Sequence, residues 1–112
     1  MTLVLLGRDL IVASRIMAAA ARAGTDLLRI GDPADLPPPA QVRVLLVDWG
    51  DRDPGWGEQI AAWRAGGPLA SVKVLLFGPH SDLDAHRDAR AAGLGPMRAR
   101  SRLTDDIASL LA

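Results

Sequence analysis

The chain has no cysteine among its 112 residues. That excludes disulfides, thiolate metal sites and a cysteine nucleophile. It also has no net charge, with 13 Lys and Arg against 13 Asp and Glu. The basic excess of a general nucleic-acid binder is therefore missing. No apolar run approaches the roughly 20 residues that a membrane span requires. The opening run, residues 1 to 6, is too short for a secretion signal, and Arg8 and Asp9 interrupt it. These absences predict a cytoplasmic protein that engages neither membrane nor nucleic acid. The phosphate-loop patterns GxGxxG and GxxxxGKS/T do not occur, and neither does the GxSxG nucleophile elbow. With no nucleophile and base in a recognisable pairing, no enzyme is expected. There is no internal repeat.

What is present reads as one domain, residues 1–112. The composition is 49% hydrophobic and 23% charged, and the length is enough for a real core. The bias to Ala, Arg, Gly and Pro suggests a GC-rich bacterial source. Thr2 to Leu6, Asp26 to Ile30, Val42 to Asp48, Val72 to Phe77 and Gly95 to Arg100 read as strands. The first, third and fourth are continuous apolar runs, as expected of strands buried on both faces of a parallel sheet. Leu10 to Ala23 is the clearest helix, with Asp9 placed to cap it and Gly24 placed to end it. Leu10, Ala13, Met17 and Ala20 are its expected buried face. Further helices are expected over Gly55 to Ala65, with Trp56, Ile60 and Trp63 on one side, and over Asp82 to Ala92, with Leu83, Ala85 and Ala89 available for packing. A last helix is capped by Ser101 and carries Leu103, Ile107, Leu110 and Leu111. Between the second and third strands lies Gly31-Asp32-Pro33-Ala34-Asp35-Leu36-Pro37-Pro38-Pro39. Three consecutive prolines cannot continue a helix, so this connection is expected to be a short turn or rigid extended segment. The alternation implies α/β layers with right-handed crossovers.

The pivotal stretch is Gln41 to Trp56, where an apolar strand ends in Asp48 and a Gly, Asp and Pro loop follows. Open α/β sheets place their sites at such strand ends. Order and spacing over nearly the whole chain resemble the response-regulator receiver family. The resemblance implies a flavodoxin-like three-layer sandwich with a five-stranded parallel sheet in order 2-1-3-4-5, and the proline run leaves its second helix shortened or missing. In receivers a phosphoacceptor Asp ends the third strand, and Asp48 matches it. The Ser or Thr expected at the end of the fourth strand is Gly78, and the Lys expected at the end of the fifth is Arg100. The acidic pair that holds Mg²⁺ after the first strand is replaced by Gly7 and Arg8, with Asp9 one place later. Arg in that pocket would repel a hard cation, so neither a metal nor a cofactor is expected. A site built from His80, Asp48 and Asp9 lacks any ligand spacing to support it.

The resemblance and its departures imply a non-catalytic pseudo-receiver, in which Arg8 or Arg100 lies against Asp48 as a permanent cation. The chain would act as a signalling or protein-interaction module, with a protein partner or a second copy engaging the region 82–112. Alternatives are a small-molecule site in the crevice at the C-terminal ends of strands 1 and 3, where Trp49 and His80 would be contact residues, and an atypical phosphoreceiver modified on Asp48. Flavin and cobalamin are disfavoured, because the loop after strand 1 is too short and the DxHxxG pattern is absent.

Overall fold

The computed structural model describes residues 2–67 and 72–111. Five strands, β1 (Thr2–Leu6), β2 (Leu27–Ile30), β3 (Val42–Asp48), β4 (Lys73–Gly78) and β5 (Met97–Ala99), form one parallel sheet in the order β2-β1-β3-β4-β5. Three helices connect them, α1 (Leu10–Arg22), α2 (Trp56–Ala65) and α3 (Leu83–Ala91), and a fourth, α4 (Leu103–Leu111), follows β5. This is the flavodoxin-like arrangement expected from the strand and helix alternation.

β3 is central, and its residues 42 and 44–48 are all buried. Alternate residues feed opposite layers, because side chains point to opposite faces every second position. Leu45 and Val47 join Trp56, Ile60, Ala85 and Ala89 beneath α2 and α3, and Val42, on the far side of a register shift at the start of the strand, joins the same cluster. Val44 and Leu46 join Ile16, Phe77, Leu103 and Ile107 beneath α1 and α4. Each such large side chain contributes about 1.5–3 kcal/mol on leaving water.

The second helix of the expected plan is missing. Two 3-10 turns, Pro33–Asp35 and Pro39–Gln41, cross from β2 to β3. Asp32 caps the first through its Oδ1, which accepts from the Ala34 amide at 2.8 Å. The indole Nε1–H of Trp63 donates to the Pro37 carbonyl at 2.7 Å and ties this proline strap to α2. Leu36 packs from the strap onto the core.

Three local expectations are corrected. On α1 the buried face is Val12, Ala13, Ile16 and Ala20, while Leu10 and Met17 point outward at 66% and 51% exposure. The Ala-rich helix carries apolar residues on both sides, and the sheet takes the side with the β-branched Val12 and Ile16. Leu83 on α3 is exposed, and Ala85 and Ala89 do the packing. Ser101 sits inside a 3-10 turn, Arg100–Arg102, rather than at the head of α4. Leu110 and Leu111 were expected in the apolar stripe of α4, and their side chains lie outside the described residues.

Candidate functional site

The parallel register brings four strand ends to the same edge of the sheet. Leu6 is level with Val47, Asp48 with Phe77, and Gly78 with Ala99. The next residues along, Gly7 after β1 and Arg100 after β5, therefore converge on Asp48. Gly7 is needed there: a Cβ on it would stand 2.8 Å from the Cβ of Asp48. Asp48 itself is 1% exposed and is the buried charged residue among the described ones.

Of the two candidate cations, Arg100 makes the pair. Its Nη2–H donates to Asp48 Oδ1 at 2.9 Å, with the arginine side chain 36% exposed. Arg8 leaves the pocket. Its guanidinium bonds Asp53 Oδ1 at 2.8 Å, donates to the Asp51 carbonyl at 3.3 Å and lies 5.4 Å from the Trp56 ring centroid. The expected repulsion of a cation by Arg8 is therefore removed by Asp53 and Trp56, which hold it over the first turn of α2. The hydrogen bond and charge of Asp53 raise the pKa of Arg8 further.

Burial pushes the Asp48 carboxyl above the usual carboxylate range, and Arg100 opposes this without cancelling it. The negative charges of Asp51 and Asp9 add to the upward push. Only one oxygen of Asp48 is satisfied. Among the described residues Oδ2 has no hydrogen-bond partner, and neither does Nε of Arg100.

Gly78 stands where a receiver carries its hydroxyl, and the space is closed. A Cβ there would lie 2.8 Å from Met97 Sδ, 3.1 Å from Gly50 N and 3.3 Å from Gly50 Cα. Gly50 is in turn pressed against Arg100 and Pro79, since its own Cβ would sit 3.1 Å from Nη2 and 2.7 Å from Pro79 Cδ. The loop after β3 has settled onto β4 over the place a Ser or Thr side chain would fill.

Asp9 caps α1, its Oδ1 accepting from the amides of Ile11 at 2.9 Å and Val12 at 3.2 Å. Asp51 was not anticipated. It closes the 3-10 turn Trp49–Asp51, and one oxygen from each of Asp9, Asp48 and Asp51 lies within 4.8 Å of the others. The divalent cation implied by the receiver resemblance thus meets a donor set that fits it: hard oxygens, one of them buried and unpartnered.

Trp49 and His80 are placed away from this cluster. Trp49 is 1% exposed, and its Nε1–H donates to the Ala85 carbonyl at 2.8 Å, which fixes the loop after β3 to α3. Arg52 stacks on its ring at 5.1 Å and bonds Asp88 on α3. A cleft of about 500 Å³ opens beside these residues, lined by Trp49, Arg52, Gly57, Glu58, Asp88 and Ala92 among others; Asp48, Gly78 and Arg100 do not line it. His80 is exposed, its ring 5.9 Å from that of His86, whose Nε2 is 2.9 Å from the His80 carbonyl oxygen.

No family model matches the sequence, and no curated protein matches it significantly. Solved structures do match in shape. A response regulator protein from Burkholderia multivorans aligns with a TM-score of 0.72 at 20% identity, over 99% of this chain and 94% of that one. A putative pilus assembly-related protein from Burkholderia pseudomallei aligns with a TM-score of 0.58 at 16% identity, over 98% of this chain and 87% of the other. At such identities the likeness speaks for the backbone plan alone. Strand order, helix placement and this alignment agree: the chain has a receiver-like, flavodoxin-type fold.

Proposed function

We propose that the chain is a non-catalytic signalling or protein-interaction module of the receiver type, in which a standing Asp48–Arg100 ion pair takes the place of a phosphorylation cycle. The observation that carries this reading is the 2.9 Å contact of Arg100 with the carboxylate at the receiver phosphoacceptor position. A guanidinium stays charged at all relevant pH values, so the pairing is a resting condition rather than a signal. The packed space at Gly78 supports the same reading, because a phosphoryl group there would find no hydroxyl and little room.

The surface reading follows from α3, β5 and the turn after it. Leu83 is 73% exposed. Around it and along β5 stand Arg87, Arg90, Arg98 and Arg102, all exposed. Open grooves of about 550 and 410 Å³ run between them and share His80 and His86. The region 82–112 is thus the face for a protein partner or a second copy of the chain, in a cytoplasmic setting. Among the described residues, no helix is long and apolar enough to cross a membrane.

Incubation with a small acyl phosphate and Mg²⁺, followed by intact-mass measurement, tests the central part. The expected result is no phosphoryl adduct. An adduct lost in the Asp48→Asn variant would establish the phosphoreceiver alternative instead. Light scattering across a concentration series tests the surface, with association weakened by Leu83→Glu as the expected result if the face joins two copies.

A further inference from the structure

We propose that Asp51 completes a divalent-cation site with Asp9 and Asp48, supplying from the turn after β3 the carboxylate that is missing from the loop after β1. The proposal stands apart from the signalling reading, since a bound cation requires no phosphorylation.

Three features converge. The first is reach. Oxygens of Asp9, Asp48 and Asp51 lie within 4.8 Å of one another. Two ligands of one ion can be separated by at most twice the metal–oxygen distance, about 4.6–5.2 Å for Ca²⁺ and about 4.1 Å for Mg²⁺. At that outer limit an ion central to the three oxygens stands about 2.8 Å from each, slightly beyond the roughly 2.3–2.6 Å of Ca²⁺, so a small side-chain rotation closes the site. Mg²⁺ requires a tighter, near-octahedral arrangement, which the exposed Asp51 side chain can approach by rotation.

The second is an oxygen that needs a partner. Asp48 is 1% exposed, and its Oδ2 makes no hydrogen bond. Leaving a buried charged oxygen unpaired is costly. Arg100 holds the other oxygen, so a cation at Oδ2 and the guanidinium at Oδ1 share one carboxylate without competing. Asp9 likewise commits Oδ1 to the α1 amides and keeps Oδ2.

The third is charge. Three carboxylates facing one guanidinium leave two negative charges, which a divalent ion neutralises. The other nearby cation, Arg8, is held by Asp53. The role of Asp51 follows from its turn: the Arg52 amide bonds the Trp49 carbonyl at 3.2 Å, and this single 3-10 turn folds residue 51 back beside residue 48.

Isothermal titration with CaCl₂, and separately with MgCl₂, tests the assignment on the whole chain. The expected result is saturable one-site binding of at least one ion, with a dissociation constant of about 1 mM or tighter. Asp51→Asn should weaken it at least about tenfold, because affinity at such sites follows the number of charged ligands. Asp84→Asn removes the same charge from exposed α3 and should leave binding within about twofold, as screening at physiological salt confines a charge's influence to about 8 Å. Asp9→Asn gives a second test, because Asn also caps helices while losing the charge; it too should weaken binding. Circular dichroism without added ion confirms that each variant is folded. Absence of saturable binding, unchanged binding in Asp51→Asn, or equal weakening by Asp84→Asn would each overturn the proposal.

Discussion

Replacing Arg100 by methionine probes the ion pair while keeping much of the apolar stem. The structure sets the size of the effect. Removing one partner of a fully buried pair costs about 3–5 kcal/mol, whereas exposed pairs are worth about 0–1 kcal/mol. Here Asp48 is 1% exposed and Arg100 is 36% exposed, so the pair sits between the limits, at about 2 kcal/mol near neutral pH. For a domain of this size, with a urea dependence of about 1–1.5 kcal/mol per molar, the unfolding midpoint should fall by roughly 1.5 M. The loss should depend on pH. Asp48 titrates above the ordinary carboxylate value in the folded state, and further above it once Arg100 is gone. As pH falls through the raised titration range the carboxyl becomes protonated in both proteins, so the difference between them should shrink toward pH 4. Urea titrations of both proteins at pH 7 and pH 4 supply the comparison. A midpoint unchanged at pH 7, or a loss of the same size at both pH values, would refute the claim that Arg100 serves a buried charge.

The other predictions concern the same corner of the sheet. Asp48→Asn should stabilise the protein at neutral pH, because the raised pKa marks a charge that folding disfavours. The sign follows from proton linkage: folding gains from Asp48 below its unfolded pKa of about 3.9 and loses that gain as pH rises through the higher folded value. The variant should therefore show a flatter stability curve over that window, read by thermal melts from pH 3.5 upward. Gly78→Thr should restore no phosphorylation and should cost about 1–3 kcal/mol, because its Cβ meets Met97 and the Gly50 backbone; chemical denaturation measures it. Trp49→Phe loses the bond to the Ala85 carbonyl and some buried volume, for about 1–3 kcal/mol.

Much of this architecture is legible in the residue pattern. The apolar run ending in Asp48, the triple proline that forbids a helix, and the cap at Asp9 all report on local chemistry, and the structure places them accordingly. What the pattern leaves open depends on competition across space. Arg8 and Arg100 are equally near Asp48 by topology, and the choice between them turns on Asp53 and Trp56, which offer Arg8 a separate berth. The buried face of α1 is obscured because alanines fall on both sides of it. Trp49 follows a strand end, where an exposed contact residue is as reasonable as a packed one; the Ala85 carbonyl and Arg52 decide for packing. Asp51 carried a usable signal: a residue three places beyond a strand-ending aspartate returns to it if the chain makes one 3-10 turn.

The pairing of Arg100 with Asp48 is tested most directly by following the Asp48 side-chain carboxyl carbon by NMR through a pH titration, in the wild type and in Arg100→Met. The expected result is a titration above the usual aspartate range in the wild type and a further upward shift in the variant, since the guanidinium is the group holding the carboxylate down. An Asp48 that titrates identically in the two proteins would contradict the account.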